Sequence, residues 1–328
     1  MTAPIWISER DVGLDLKQSI ALLREAMTRQ AEGRALNMNK THVQWTGGTM
    51  HAIGACFEDT ALLGVKAWAH TPKGATPLEI LWDAETGRLL AIIEAFAMGQ
   101  LRTAGMAGLA TDCLADARAD LFALCGTGKQ AMAQLAAVHA VRPLRTVRLF
   151  GRNAERRGQF AQRAAEAFGV SVEQFDDAER AISGAPVVTL VTRATAPFVA
   201  AAWPARGAHI NAMGAITPER QEFEPALLKR CAVVAADSVQ QAQALASEMI
   251  AAWGDDFSAA KPLCDIVAAD RGRPQDADLT LFKSLGVGIA DLALAEALYR
   301  TARERGAGTP LPTPAPAPLV FGEGGKLG

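Results

Sequence analysis

Hydrophobic positions along the chain follow two different rhythms that meet near residue 119. In the first, SIALLREAMTRQAEG (19–33) sets Ile20, Leu22, Leu23 and Met27 on one stripe and stops at Gly33, the period and punctuation of an amphipathic helix. THVQW (41–45), TMHAIGAC (49–56), LLGVKAWAH (62–70), TPLEILWDAE (76–85) and RLLAIIEAF (88–96) follow as short runs. Gly47-Gly48, Glu58-Asp59, Pro72-Lys73-Gly74 and Glu85-Thr86-Gly87 separate them. Turns this short join antiparallel neighbours, because a parallel return needs a crossover of about a dozen residues. The Ala-, Leu- and Met-rich stretch 98–115 reads as a helix.

From residue 119 the order becomes strand, glycine loop, helix, strand. LFALC (121–125) runs into GTGKQAMAQLAAVHAV, then TVRLFG (146–151), a helix through RGQFAQRAAEAFG, VSVEQF (170–175), a helix near DDAERAIS and VVTLVT (187–192). AHINAMG (208–214) and AVVAAD (232–237) are further strand candidates. Strands alternating with helices predict a parallel sheet covered on both faces. The expected fold class is therefore α/β, a doubly wound parallel sheet joined to a second, α+β unit with an antiparallel sheet. The Gly- and Pro-rich tail after Arg305 reads either as an extended arm or as a disordered tail.

Composition narrows the partners. The 328 residues are half hydrophobic, ample for two cores, and 33 basic against 35 acidic side chains leave a net charge of -2. No basic footprint for nucleic acid or an anionic membrane results. The apolar stretch 185–203 contains Arg193 and two prolines, so it does not read as a membrane span. Acids in MTAPIWISERDVG stand where a secretory signal needs a basic start and an apolar centre, so a cytoplasmic protein is expected. Cys56, Cys113, Cys125, Cys231 and Cys264 are widely spaced without a CxxC pair and read as reduced thiols, with no metal site.

One loop carries recognisable chemistry. Gly126, Gly128 and Ala131 form GxGxxA at the end of an apolar strand and the start of a helix, with Thr127 and Gln130 between them. There the first glycine permits the turn, the second lets a pyrophosphate approach the backbone, and the alanine lets helix and strand pack closely. A dinucleotide is the expected ligand. The next strand ends at Gly151, where an acid would hold the ribose of NAD. Arg152 and Asn153 stand there instead, with Arg156 and Arg157 one turn on, a grouping suited to a 2′-phosphate. NADP(H) is the preferred expectation; Glu155 keeps NAD(H) open, and a solvated helix start with scattered charge is the plainer reading.

LRTAG (101–105), CGTGKQA (125–131), GRN (151–153), GAHINAMGA (207–215) and LFKSLGVGIADLALA (281–295) together resemble the ornithine cyclodeaminase and mu-crystallin family, in family order over nearly the whole chain. The resemblance implies a Rossmann domain, here 119–304, inserted into a substrate-binding and dimerisation domain made of 1–118 and completed by 305–328. It implies a homodimer, a small amino or imino acid as substrate, and a site between the domains. It also offers three activities: NAD(P)H-dependent reduction of a ketimine or imino acid, ammonia-releasing cyclodeamination of ornithine, and binding of NADPH with a small ligand without turnover.

By the same resemblance Arg102 holds the substrate carboxylate, as its planar fork permits, and Lys66 is the family's sheet lysine. Lys40 falls at a further cationic position, although Met38 and Asn39 replace the family's proline pair. His70, four residues after Lys66 in a strand, points to the same face and is a substrate-binding candidate. Thr192, Asn211, Met213, Gly214, Gly286, Val287 and Gly288 match the family's cofactor motifs. Asp291 follows those glycines, where capping a helix is a sufficient role. Glu222 and Glu224 match a surface-helix segment. Two positions depart from the pattern: Gly99 replaces a frequent threonine, and Ile216 replaces the aspartate used for proton transfer in cyclodeaminases. An isoleucine accepts no proton, which points to the imine reductase.

Overall fold

A computed structural model describes residues 3–270 and 272–319. The first half runs β1 (Ile5–Ile7), α1 (Leu16–Ala31), β2 (Ala35–Asn37), β3 (Thr41–Trp45), β4 (Gly48–Phe57), β5 (Leu62–Thr71), β6 (Gly74–Ala75), β7 (Leu78–Asp83), β8 (Leu89–Glu94) and α2 (Phe96–Leu114). Two carboxylates start its helices. Asp15 accepts from the Gln18 N–H at 2.7 Å while the Gln18 side chain accepts from Asp15, a reciprocal cap of α1. Glu9, far away in sequence, accepts from the first N–H groups of α2 at Phe96, Ala97 and Met98.

The second half runs β9 (Leu121–Cys125), α3 (Ala131–Val141), β10 (Thr146–Phe150), α4 (Ala154–Phe168), β11 (Ser171–Phe175), α5 (Ala178–Ile182), β12 (Val187–Leu190) and β13 (His209–Ala212). It continues with β14 (Cys231–Ala236), α6 (Val239–Leu245), α7 (Ser247–Trp253), β15 (Ala260–Pro262), α8 (Leu263–Ala268), β16 (Leu279–Lys283), α9 (Gly288–Arg305) and β17 (Thr309–Pro310).

The strands form two sheets. The first has the order β17-β1-β8-β7-β5-β4-β2, with β3 on β4 and β6 on β5. It is antiparallel except where β1 runs parallel to β8, so the sheet is mixed rather than purely antiparallel. A three-residue strand such as β1 is too short to show a period. The second sheet is parallel throughout, in the order β11-β10-β9-β12-β13-β16-β14-β15. Strands β12, β13 and β16 are buried along their full length, which requires helices on both faces. The winding direction reverses between β9 and β12, opening a crevice at their carboxyl ends.

The tail follows the extended-arm alternative as far as β17, where Ile5 and Trp6 pair with Pro310 and Thr309. Residues 320–328 lie outside the described ones. Among the described residues no helix is long and apolar enough to cross a membrane.

Helix α9 leaves the parallel sheet and packs on β4 and β5 of the other, beside α1 and α2. Its approach is very close. A Cβ on Gly288 would lie 2.1 Å from the Gly54 carbonyl oxygen, and one on Gly64 would lie 2.7 Å from Leu292 Cδ1. Gly288, a cofactor candidate from sequence, therefore serves this backbone approach. Gly288→Ala should overpack the contact and lower stability by about 1–3 kcal/mol. The expected readout is a lower urea midpoint with unchanged slope, and an unchanged midpoint would contradict the packing argument.

Candidate active site

The crevice at the carboxyl ends of β9, β10, β12 and β13 encloses about 690 Å³. Gly126 makes its turn at φ +128°, and a Cβ there would meet the Val191 carbonyl oxygen at 2.6 Å. Gly128 is different. Nothing lies within 4 Å of the Cβ it lacks, so its openness serves what enters the crevice rather than the chain's own packing. Helix α3 has no side-chain cap, which leaves its first N–H groups available to an anion. Ala131 is buried beneath them.

At the far end of the crevice Arg152, Asn153 and Arg156 line the wall beside Thr127 and Gln130. Asn153 also accepts from the Arg156 N–H at 2.8 Å and starts α4. Arg157 is turned away and donates to the Gly151 carbonyl. Glu155 is exposed and accepts from Gln159 one turn along its own helix.

Glu222 lies in the interior, not on a surface helix. It accepts from the Thr192 N–H (2.7 Å) and hydroxyl (2.8 Å), the Gly214 N–H (2.8 Å) and the Ala215 N–H (3.1 Å). This carboxyl ties together the loops that leave β12 and β13, and burial pushes its pKa up. A Cβ on Gly214 would lie 2.3 Å from the Thr192 carbonyl oxygen, so the two loops touch at backbone level. Thr192, Met213 and Gly214 line the crevice, whereas Asn211 does not. Its amide donates to the Thr111 hydroxyl at 2.9 Å and the Thr189 hydroxyl at 3.3 Å, inside the sheet.

A second cavity of about 360 Å³ shares Lys129, Gln130, Met213 and Ile216 with the first and is walled by the other sheet. Lys66 enters it from β5, with Ile53 and Glu79 as its neighbours across the ladder. The Lys66 ammonium donates to the Asp291 carboxylate, and Arg102 Nε, from α2, lies 3.1 Å from the same oxygen. Asp291 is thus more than a helix-start residue, because one buried carboxylate holds both cations. Burial and the Arg102 charge push Lys66 down to about 8, and the same two causes lower Lys40, which lines the cavity too.

Arg102 packs against a shaped loop. Asp237 accepts from the Ser284 hydroxyl (2.8 Å) and the Leu285 (2.9 Å) and Gly286 (2.8 Å) N–H groups. Gly286 sits at φ +91°, and a Cβ there would come within 3.0 Å of Arg102 Nη1. Val287 is buried behind this loop. The Arg102 terminal nitrogens have no hydrogen bond among the described residues, so its fork is available to a carboxylate. Trp68, Phe96, Ile53 and Ile216 make the remaining wall largely apolar, with exposed His70 beside them. The Lys66 ammonium lies 5.3 Å from the Trp68 ring centroid, and His51 stacks on that ring at 4.9 Å. Sequence reasoning passed over Glu79, Asp237 and Lys129. For Glu79 the signal was present: a charge at an inward position of an alternating strand, two residues from buried Leu81.

These two adjoining cavities give comparison with known proteins a physical basis. The model of the ornithine cyclodeaminase/mu-crystallin family matches residues 7–306. A Delta(1)-pyrroline-2-carboxylate reductase of Bacillus cereus is 32% identical over 307 residues, covering 89% of this chain and 94% of that one. Among solved structures, Thermococcus litoralis Delta(1)-pyrroline-2-carboxylate reductase in complex with NADH and L-proline superposes with a TM-score of 0.87 at 25% identity, covering 94% of this chain and 100% of the other. An archaeal alanine dehydrogenase dimer with bound NAD gives 0.87 at 26% identity, over 95% and 99%.

Proposed function

The chain belongs to the ornithine cyclodeaminase/mu-crystallin family, and on that premise we propose that it reduces the C=N bond of a small ketimine or imino acid. It is an oxidoreductase acting on C–N bonds with a nicotinamide cofactor. The observation that carries this reading is Asp291 holding Lys66 and Arg102 in a cavity that adjoins the nucleotide crevice.

The crevice fits a dinucleotide. Open space at Gly128 and the uncapped start of α3 receive a pyrophosphate, and the loops fixed by Glu222 and Asp237 lead to the second cavity. When bound, the reduced nicotinamide supplies a hydride. The chain's own residues do the rest. Arg102 grips the substrate carboxylate with its free nitrogens, and Lys40 adds a second positive charge. Lys66 gives a proton to the imine nitrogen, a task suited to an ammonium already weakened to about 8. The apolar wall of Ile53, Trp68, Phe96 and Ile216 limits water, with His70 at the rim contacting the substrate side chain.

Two finer features complete the proposal. Arg152, Asn153 and Arg156 favour the 2′-phosphate of NADPH, although the solved relatives carry NADH or NAD. A homodimer is supported by exposed Leu36, Val43, Trp45 and Met50 on β2, β3 and β4, by exposed Met38 just after β2, and by the dimeric archaeal relative. Residues 1–118 then provide the substrate side and 119–304 the cofactor side, with α9 laid across to the first.

NADPH should bind more tightly than NADH in a fluorescence titration, and Arg152→Glu should reverse the order; equal or tighter NADH binding by the unmodified protein would contradict this. A panel of cyclic and acyclic ketimines should show steady consumption of NADPH, while ornithine should release almost no ammonia. Stoichiometric ammonia and proline from ornithine, without net cofactor consumption, would establish the lyase instead.

A further inference from the structure

Strand β7 places a carboxyl where its pattern calls for an apolar side chain. Glu79 shares the inner face with Leu81, is 1% exposed, and stands directly across the β5–β7 ladder from Lys66. Its Oε2 has no hydrogen-bond partner among the described residues, and neither has Oδ2 of Asp291. The room for it comes from Gly64, two residues before Lys66, where a Cβ would lie 2.8 Å from Glu79 Oε1. The charged groups around it are Lys66 from β5, Asp291 from α9 and Arg102 from α2. A buried carboxyl oxygen without a partner has lost its hydration for no hydrogen bond in return, a cost that a leucine at this position would not carry.

Resting on the imine-reductase reading, we propose that Glu79 is a positioning residue for Lys66, returning a proton to its Nζ after that atom has protonated the imine nitrogen. The ledger of atoms closes. An Nζ–H bond breaks and a bond from hydrogen to the substrate nitrogen forms, while the carbon takes the hydride of the reduced nicotinamide, which is oxidised. The Glu79 O–H bond then breaks and its proton rebuilds the ammonium. The resulting carboxylate regains a proton from water when product leaves. Burial beside Asp291 lifts the Glu79 carboxyl well above the usual carboxylate range, which favours the protonated form that the step requires.

Glu79→Gln keeps the size but can neither give the proton nor carry the charge. Reduction by the unmodified protein should fall as pH rises through about 8, where Lys66 loses its proton. In the variant Lys66 must draw its proton from water, and no Glu79 carboxylate, left behind after the proton is given, holds the ammonium. Its kcat should therefore fall about tenfold with KM for the ketimine nearly unchanged, and its fall with pH should begin lower than in the parent. Glu79→Asp, which keeps an acid, should move the fall back towards higher pH. Infrared difference spectra of the unmodified holoprotein at pH 7 should contain a protonated-carboxyl band that Glu79→Gln lacks. A pH limb in active Glu79→Gln that coincides with the parent's, or a band that survives the substitution, overturns the inference. If the unmodified protein reduced no imine, the functional reading would fall and this role with it, a result distinct from either.

Discussion

The arrangement of the second cavity depends on one buried carboxylate, Asp291, shared by two cations from different elements. Helix α9 carries the acid, β5 the lysine and α2 the arginine. With Asp291 fully buried and Lys66 nearly so, removing one partner of such a pair typically costs about 3–5 kcal/mol, because the other is left uncompensated. The cluster also dictates the packing around it. For Asp291 to reach Lys66, the start of α9 must lie almost on the backbone of β4 and β5, and Gly54, Gly64 and Gly288 are the positions that allow it. Asp291 meets Arg102 as an ion pair at Nε, without a hydrogen bond there, and the terminal nitrogens of Arg102 point to no partner among the described residues.

The cofactor side repeats the device with different partners. Glu222 and Asp237 are buried acids whose hydrogen bonds come mostly from backbone N–H groups, one spanning the loops after β12 and β13, the other shaping the loop after β16. Behind Glu222, Glu248 accepts from its N–H and pairs with the buried ammonium of Lys283. Rigid loops at the carboxyl ends of the strands result, so crevice and cavity keep a fixed relation. A hydride transfer needs that fixed geometry more than it needs any further reactive group.

Local signals made much of this legible in the sequence. The strand runs at 41–45, 49–56 and 62–70 fall within a residue or two of β3, β4 and β5, and LFALC coincides with β9. Strand alternation put Lys66 and His70 on one face, and the glycine loop announced the crevice. What escaped depends on partners far away in the chain. Asp291 meets a lysine 225 residues earlier, so its helix-start position gave no sign of its role. Glu222 looked like a surface acid because the N–H groups it serves belong to other loops. Asn211 and Arg157 match their motifs, yet they turn to Thr111 and Gly151 rather than to the crevice. Glu79 was readable as a charge on an apolar face, and only the ladder register gives it a partner.

The central claim is that Arg102, held by Asp291, recognises the substrate's carboxylate. Its most direct test compares kcat/KM of the unmodified protein and Arg102→Ala for a cyclic ketimine bearing a carboxylate and for the same ring without one. The account predicts that the loss with the carboxylate substrate exceeds the loss with the bare imine by at least about tenfold, since only the first has an anion for the guanidinium to hold. Equal losses on both substrates, or a normal rate on the carboxylate, would contradict it.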